Sequence, residues 1–136
     1  MADSPMVPVS WGELLDKITI LQIKQERLDD AAKRANVTAE LAALTAIAGA
    51  ALADAAVAPP LAALKAVNES LWEIEDRLRG KEADGSFDAA FIELARAVYF
   101  TNDRRAALKR DINRLLRSAL VEEKSYRPYA RPGAAP

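Results

Sequence analysis

Apolar residues recur at alternating spacings of three and four in the middle of this chain, and this pattern constrains the fold more than any other feature. The residues are Leu64, Val67, Leu71, Ile74 and Leu78. Because an α-helix turns once every 3.6 residues, all five lie on one helical face. A lone helix is marginal in water unless such a face is buried. The pattern therefore predicts a helix that packs against other helices.

A first helix is predicted from Ser10 to about Ala35. Ser10 and Glu13 have the spacing of a capping box, in which the serine hydroxyl accepts from the Glu13 amide and the glutamate carboxylate reaches back. The apolar residues that follow share one helical face; they are Trp11, Leu14, Leu15, Ile18, Leu21, Leu28 and Ala32. The cap and the apolar face together predict where this helix begins and which side it buries.

Two more helices flank the one with the heptad. An alanine-rich helix over 39–57 ends at Pro59-Pro60, because proline cannot continue a helix from the interior. After the heptad, a fourth helix begins at Ser86, a good N-cap, and continues to about Ser118. Short connections between consecutive helices place them antiparallel. The predicted fold is all-α: an up-and-down bundle of about four antiparallel helices with an extended C-terminal tail.

The predicted helices also predict how the chain is divided. We expect residues 1–9 to form an N-terminal extension, residues 10–121 the helical bundle domain, and residues 122–136 an extended tail. The tail contains three prolines and two tyrosines and ends in small residues. We expect it to be disordered past about Tyr129.

The composition excludes several kinds of chemistry. The chain has no cysteine and no histidine, which removes disulfides, thiolate nucleophiles, Cys/His zinc sites and imidazole bases. Its 19 basic residues are balanced by 20 acidic ones, whereas nucleic-acid binders usually carry a basic excess. We therefore expect no metal, no cofactor and no nucleic-acid partner.

The sequence further predicts a cytoplasmic protein that does not enter a membrane. The first nine residues include Asp3 and two prolines, and they contain no apolar run of signal-peptide length. The longest weakly polar stretch, 46–64, is interrupted by Asp54 and by Pro59-Pro60. It consists largely of alanine, which is too weakly apolar to make a convincing membrane span.

Polar residues interrupt two of the apolar faces, and buried polar groups need partners. The fourth helix carries Asn102, Arg105 and Lys109 on or near its apolar face, and the first helix carries Gln22 and Gln25. Cationic and amide donors that converge in a partly dry site bind carboxylates and phosphates. These five residues are therefore a candidate anion-binding cleft.

The same cations have a structural alternative. Arg105 and Lys109 can pair with Glu75 and with the glutamines of the first helix, and so fix the register of the helices. An open cleft around Arg105 would favour a small-ligand binder or an enzyme. Internal pairing of both cations would favour an interaction module.

Ile20 and Ile23 are a candidate dimer interface. They lie on the side of the first helix away from Trp11, Leu15 and Ile18, so this segment is apolar nearly all round. Such a helix is either central in its domain or packed against a partner. Because a four-helix bundle usually leaves each helix one solvent-facing side, we expect a homodimer formed through these two isoleucines.

Several sequence blocks occur together in an order that resembles a known family. The blocks are Lys17-Ile18-Thr19-Ile20-Leu21, Leu71-Trp72-Glu73-Ile74-Glu75-Asp76 and Glu122-Glu123-Lys124-Ser125-Tyr126. Over almost its whole length the chain resembles a family of small bacterial all-helical proteins classed as a domain of unknown function. The resemblance implies an association with surface-polysaccharide and glycosyltransferase genes, and it supplies no catalytic residues.

The first helix is also loosely similar to that of the all-α chorismate mutases, small helical dimers with an Arg/Lys/Gln-lined pocket for a dicarboxylate. The likeness lies in Leu14-Leu15-Asp16-Lys17-Ile18 and Glu26-Arg27-Leu28. The chain departs from that pattern in the second helix, since 39–57 contains no basic residue. This likeness is an analogy at the level of the fold.

Two functions follow from the sequence. The first is a helical interaction or ligand-binding module without catalysis, dimeric, able to bind a partner protein, and linked through the resemblance to cell-surface polysaccharide biosynthesis. The second is a small all-α enzyme that acts on an anionic carboxylate or phosphate metabolite, by analogy with the chorismate mutases.

Overall fold

The structure is a computed structural model that describes residues 3–129. Within this range it contains four α-helices, one 3-10 helix and no strand, and 74% of the described residues are helical. The α-helices are α1 (Trp11–Arg27), α2 (Ala31–Ala48), α3 (Ala58–Asp84) and α4 (Ala89–Leu115), and the 3-10 helix spans Gly49–Ala53. The predicted all-α bundle with an extended tail is confirmed. The predicted disorder past Tyr129 concerns residues outside the described range.

The first helix is shorter than predicted. It ends at Arg27 rather than near Ala35, and α2 begins at Ala31. Asp30 caps α2, since its carboxylate accepts from the Lys33 amide at 2.9 Å. Aspartate favours caps over helix interiors because its short side chain bonds to nearby backbone amides. The chain therefore turns just before this cap, where the apolar pattern alone predicted one continuous helix.

Glycines with a positive φ end the next two helices. α2 ends at Ala48, well before the predicted position 57, because Gly49 takes a positive φ of 53°. α3 continues through Gly80 to Asp84, and Gly85 ends it with a left-handed φ of 65°. Glycine adopts this backbone region without the clash that a Cβ causes, which is why it commonly follows the last helical residue.

The fourth helix also begins and ends at other residues than predicted. Asp88 caps it in place of Ser86, and the Asp88 carboxylate accepts from the Phe91 amide at 2.9 Å. α4 ends at Leu115, a little before the predicted Ser118.

α1 is the central helix, because it packs against α2, α3 and α4. One of its faces forms the hydrophobic core. Leu15 and Ile18 are fully buried there with Leu64 of α3, Ile112 of α4 and Val57. The core therefore lies around the N-terminal half of α1.

A second buried face of α1 contains Asp16, Thr19 and Ile23, whose spacings of three and four align them along the helix. Asn68 of α3 donates to both Asp16 and Thr19, so this face is directed toward α3. Ile23 is only 1% exposed, which corrects the prediction that it faces outward, whereas Ile20 is half-buried. The helix is apolar on two sides because it is central in its own domain.

α1 and α4 run antiparallel and approach most closely at Gly12. The Gly12 amide donates to Asn113 Oδ1 at 2.7 Å, and the Trp11 amide donates to Ser118 Oγ at 3.1 Å. These bonds satisfy amides that the first turn of a helix leaves without partners. A Cβ at Gly12 would lie 2.4 Å from the Lys109 carbonyl oxygen, so only glycine fits between the two backbones.

α2 packs mainly on α1 and is largely exposed, with only Val37 and Ala48 buried. The segment Ala31–Ala53 is long and apolar enough to cross a membrane by length and composition, and 17% of its most apolar window is buried in the structure. Those two criteria are a weak indication, because core helices of globular proteins also meet them.

α3 and α4 extend beyond α1. Each has 27 residues against 17 in α1, which corresponds to about 40 Å against about 26 Å. None of the residues 72–108 is buried. This segment nevertheless carries large apolar side chains, among them Phe87, 58% exposed, and Ile92, 55% exposed. We call residues 72–108 the projecting hairpin.

Candidate functional site

Arg105 of α4 and Asp16 of α1 form a bidentate ion pair. Arg105 Nε donates to Asp16 Oδ1 at 2.9 Å, and its Nη2 donates to Oδ2 at 2.5 Å. The Asp16 side chain is 1% exposed, and its Oδ1 also accepts from Asn68 Nδ2 at 2.9 Å. The hydrogen bonds to Asp16 raise the pKa of Arg105. This pairing corrects the predicted partner Glu75, whose side chain is exposed on α3.

Lys109 attaches the tail to the bundle. Its Nζ donates to the carboxylates of Glu13 and Glu122, at 2.7 Å in each case. Burial lowers the pKa of Lys109, but the hydrogen bonds to Glu122 and Glu13 outweigh burial, and the net shift is upward. Hydrogen bonds from Lys109 and Lys124 lower the pKa of Glu122 to about 2. Lys109 and Glu122 are therefore both ionised at neutral pH.

The tail returns along α4 beyond this attachment. Tyr129 hydrogen-bonds to Asp103 and packs against Tyr99, while Glu122 is held at Lys109. The helix from position 109 to position 99 rises about 15 Å, whereas seven residues of extended chain reach up to about 23 Å. The tail is therefore long enough to span this helical segment without being fully extended.

A cleft of about 900 Å³ lies between the tail and α4, and we call it the tail cleft. Its lining residues are Arg96, Tyr99, Phe100, Asn102, Asp103, Arg105, Ala106, Lys109, Glu122, Lys124, Tyr126 and Tyr129. The lining therefore combines four aromatic rings, four cations and two carboxylates in one open site.

Three of the aromatic rings form a cluster where the tail meets α4. The ring centroids of Tyr99, Phe100 and Tyr129 lie 4.9 to 5.5 Å apart, and the rings meet edge to face or tilted. These arrangements are favourable because the positive edge of one ring meets the negative face of another. The hydrogen bond to Asp103 raises the pKa of Tyr129 to about 12.

Two cations of the tail cleft lie over aromatic rings. The Arg96 guanidinium carbon is 5.6 Å from the centroid of Phe100, and Lys124 Nζ is 5.9 Å from the centroid of Tyr126. A cation at this distance is attracted by the negative face of the ring. One of these pairs lies on α4 and the other on the tail, so charge and ring faces occur on both walls of the cleft.

The cations of the cleft differ in how firmly they are paired. Arg96 pairs with Glu93 at 3.1 Å in a largely exposed ion pair, and Lys124 pairs with Glu122 near the surface. Exposed pairs of this kind contribute about 0–1 kcal/mol. Arg105, in contrast, is bound to a buried carboxylate. Arg96 and Lys124 are therefore the cations that can exchange a protein partner for a ligand at little cost.

The structure brings three of the five predicted cleft residues together. Asn102, Arg105 and Lys109 line the tail cleft, whereas neither glutamine is among its lining residues. Gln25 Nε2 donates instead to Thr38 Oγ1 of α2 at 3.0 Å, and Gln22 is half-buried on α1. The cleft lies on the tail side of α4.

The sequence alone did not indicate Asp16, Tyr126 or Tyr129 as site residues. Asp16 follows two core leucines and has the spacing of a helix residue beside the apolar face, so a buried role was detectable in principle. The tyrosines follow no helical period, and proline-rich extended segments carry no signal for where they dock. Only the three-dimensional course of the tail places them beside α4.

Two acidic residues of α3 lie close to an arginine of α1. Glu69 and Glu73 both lie near Arg27 Nη2, at 3.7 and 3.4 Å. Among residues 3–129, no group of three or more carboxylates is arranged to hold a metal ion.

The helical bundle and the tail cleft together define a small all-helical protein with a ligand-sized cleft beside its last helix. A family model described as "Family of unknown function (DUF6165)" matches residues 6–135, and the chain belongs to this family. No curated protein and no solved structure matches the chain.

Proposed function

We propose that this protein is a ligand-binding module without catalysis of its own, and that its tail cleft binds a small molecule that combines a ring with an anionic group. The observation that carries the proposal is the occurrence, in one open cleft, of aromatic rings next to cations whose carboxylate partners are near the surface. A volume of about 900 Å³ suits a metabolite, since ligand pockets range from about 300 to 1,000 Å³.

The aromatic residues support a ring in the ligand. Tyr99 and Tyr129 offer ring surface at the α4 end, and Tyr126 offers it on the tail. Stacking on such rings removes apolar surface from water, and their edges and hydroxyls still contact polar groups. A flat or cyclic ligand with one apolar face therefore fits better than an extended aliphatic chain.

The cations support an anionic group. Arg96 and Lys124 come from opposite walls of the cleft, and each pairs with a carboxylate near the surface, while Arg96 also hydrogen-bonds with Tyr99. An arginine fork binds carboxylate or phosphate through two parallel hydrogen bonds, and a lysine adds a compact positive charge. We expect the ligand's anion to contact these two residues, while Arg105 and Lys109 remain paired within the protein.

An anionic sugar, such as a uronic acid or a sugar phosphate, has all of these features. Its ring has an apolar face, its hydroxyls can bond to Asn102 and Asp103, and its charge can pair with Arg96. Such a ligand agrees with a role in the synthesis of surface polysaccharides, with whose genes the sequence resemblance associates the family.

The protonation of the lining residues favours binding over catalysis. A general acid or base works best when its pKa is near the operating pH. Glu122 has a pKa of about 2 and Tyr129 a pKa of about 12, both far from neutrality. These groups hold their protonation state and are suited to positioning a ligand.

A binding experiment tests the proposal. Glucuronate, glucose 1-phosphate, neutral glucose and inorganic phosphate are titrated into the protein, with ¹H–¹⁵N spectra and melting temperature as readouts. We expect the two anionic sugars to bind at millimolar concentration or below and to shift the signals of Tyr99, Arg96 and Tyr126. They should raise the melting temperature, because a ligand that binds only the folded state stabilises it.

Matched variants locate the site. Arg96→Ala should weaken binding of the anionic sugars by about tenfold or more, and Tyr126→Ala should weaken it as well. Arg104→Ala removes an exposed cation of α4 that does not line the cleft, so it should leave binding unchanged. The proposal is wrong if none of the four probes binds, or if Arg96→Ala binds the anionic sugars as tightly as the wild type.

A further inference from the structure

We infer that the projecting hairpin is a self-association surface, on which the hairpin of a second copy of this chain packs antiparallel to form an intermolecular four-helix bundle. The surface is the face of the hairpin that carries Trp72, Phe91 and Val98. None of these three residues lines the tail cleft, so the inference does not depend on the function proposed for the cleft. This surface replaces the predicted interface through Ile20 and Ile23, since Ile23 is 1% exposed within one chain.

α1 leaves an apolar face of the projecting hairpin uncovered. α1 covers α3 at Asn68 and α4 at Arg105. Further along α3, Trp72 lies four residues from Asn68 and so on the same helical face. Further along α4, Val98 and Phe91 lie seven and fourteen residues from Arg105, again on one face. These side chains are only half-buried. α1 does not extend along this part of the hairpin, so among the described residues no third helix covers these faces.

Two copies of the chain would carry complementary charges on this surface. Glu75 and Arg79 lie four residues apart on α3, next to Trp72, and both side chains are exposed. Within residues 3–129 neither of them forms an ion pair. A two-fold axis that passes near Arg77 would place Glu75 of each copy opposite Arg79 of the other. One α3 helix therefore supplies both halves of two reciprocal ion pairs, as an isologous interface requires.

The size of the face indicates a weak dimer. The uncovered part of the hairpin is about 25 Å long and about 20 Å wide, which corresponds to roughly 500 Å² per copy. The total of about 1,000 Å² is at the lower limit of specific interfaces. We therefore expect association in the micromolar range, with monomers at low concentration.

Charge inversion tests the surface without disturbing the fold, because both positions are exposed. Sedimentation velocity across micromolar to millimolar concentrations measures the dissociation constant. Glu75→Arg and Arg79→Glu should each raise it by about tenfold or more, since two attractive pairs become repulsive. The double variant, which exchanges the two charges, should restore the wild-type value. Arg34→Glu inverts an exposed charge on α2 and should have no effect.

Mixing the two single variants gives the most selective result. A chain with Glu75→Arg carries two positive charges at these positions, and a chain with Arg79→Glu carries two negative ones. We expect an equimolar mixture to form heterodimers that are at least as tight as the wild-type dimer. A wild type that is monomeric at millimolar concentration overturns the inference, and a different protein would then be the candidate partner for this face. Dimers that the single variants do not weaken overturn it as well.

Discussion

Arg105 of α4 donates two hydrogen bonds to the carboxylate of Asp16 of α1, at 2.9 and 2.5 Å, although the two residues are 89 positions apart in the sequence. The carboxylate is buried, and Asn68 of α3 donates to one of its oxygens. Three helices therefore meet at one charged group. The pair positions α4, and it does so on the side of the helix that lines the tail cleft.

Truncation of this arginine should destabilise the protein strongly. Arg105→Ala leaves the Asp16 carboxylate buried with only a neutral hydrogen-bond donor. The expected cost is about 3 kcal/mol in the free energy of unfolding, which corresponds to a melting temperature lower by about 8 °C or more. Arg104→Ala, one residue away and exposed, should change the melting temperature by no more than a degree or so. A variant at position 105 that melts with the wild type would contradict the buried pair.

Two glycines should respond to alanine in opposite directions. A Cβ at Gly12 would lie 2.4 Å from the backbone oxygen of Lys109, so Gly12→Ala forces α1 and α4 apart. We expect a loss of about 2–3 kcal/mol in urea denaturation. Gly80 lies inside α3 with nothing within 4 Å of an added Cβ. Gly80→Ala should therefore stabilise the protein by about 1 kcal/mol, because alanine favours a helix over glycine. Equal effects at both positions would exclude the close approach of α1 and α4.

The attachment of the tail to α4 should weaken at acid pH. The pKa of Glu122 is about 2 in the folded protein against an ordinary value of 4.5. Because the folded value is the lower one, the ionised pair with Lys109 stabilises the attached tail fully above about pH 5, and this contribution is lost as the pH falls toward 2. In ¹H–¹⁵N spectra, we expect the signals of residues 122–129 to move to random-coil positions over that range.

A pair of adjacent glutamates supplies the control for this titration. Glu122→Gln should release the tail already at neutral pH. Glu123 is exposed and has no ion pair within the described residues, so Glu123→Gln should leave the tail attached. A tail that stays attached in Glu122→Gln would show that the ion pair with Lys109 is not its anchor.

Tyr129 should ionise at a higher pH than an ordinary tyrosine. The hydrogen bond to Asp103 raises the pKa of Tyr129 to about 12 from an ordinary value of 10. The neutral phenol donates this bond, so the contact is complete below pH 10 and is lost as the pH rises through 12. An ultraviolet titration of the tyrosines should therefore contain a component near pH 12. Tyr129→Phe should abolish that component, and Asp103→Asn should move it to lower pH. A wild-type titration without it would contradict the contact between the tail and α4.

Local patterns in the sequence determined the number and type of the elements. The heptad from Leu64 to Leu78 lies within α3, and the Ser10 hydroxyl accepts from the Glu13 amide at 3.1 Å as predicted. Such signals can be detected because a helix and its caps depend on residues within one or two turns of each other. The pattern alone did not place the helix ends at Asp30, where the apolar spacing continues past the cap, or at Asp88, where Ser86 is a competing cap.

Only the tertiary structure decided what the polar residues do. Asp16 and Thr19 resemble solvent-facing residues by type, yet they belong to the face that α1 buries against α3, and that face also buries Ile23. The charge of Arg105 required a partner, but the choice of Asp16 over Glu75 depends on the angle at which distant helices cross. The tail tyrosines form the cleft because the chain turns back after α4, where Arg117 has a φ of 51°, and because Lys109 holds Glu122 on the returning segment. Helix formation is local, whereas side chains far apart in sequence become partners only through packing.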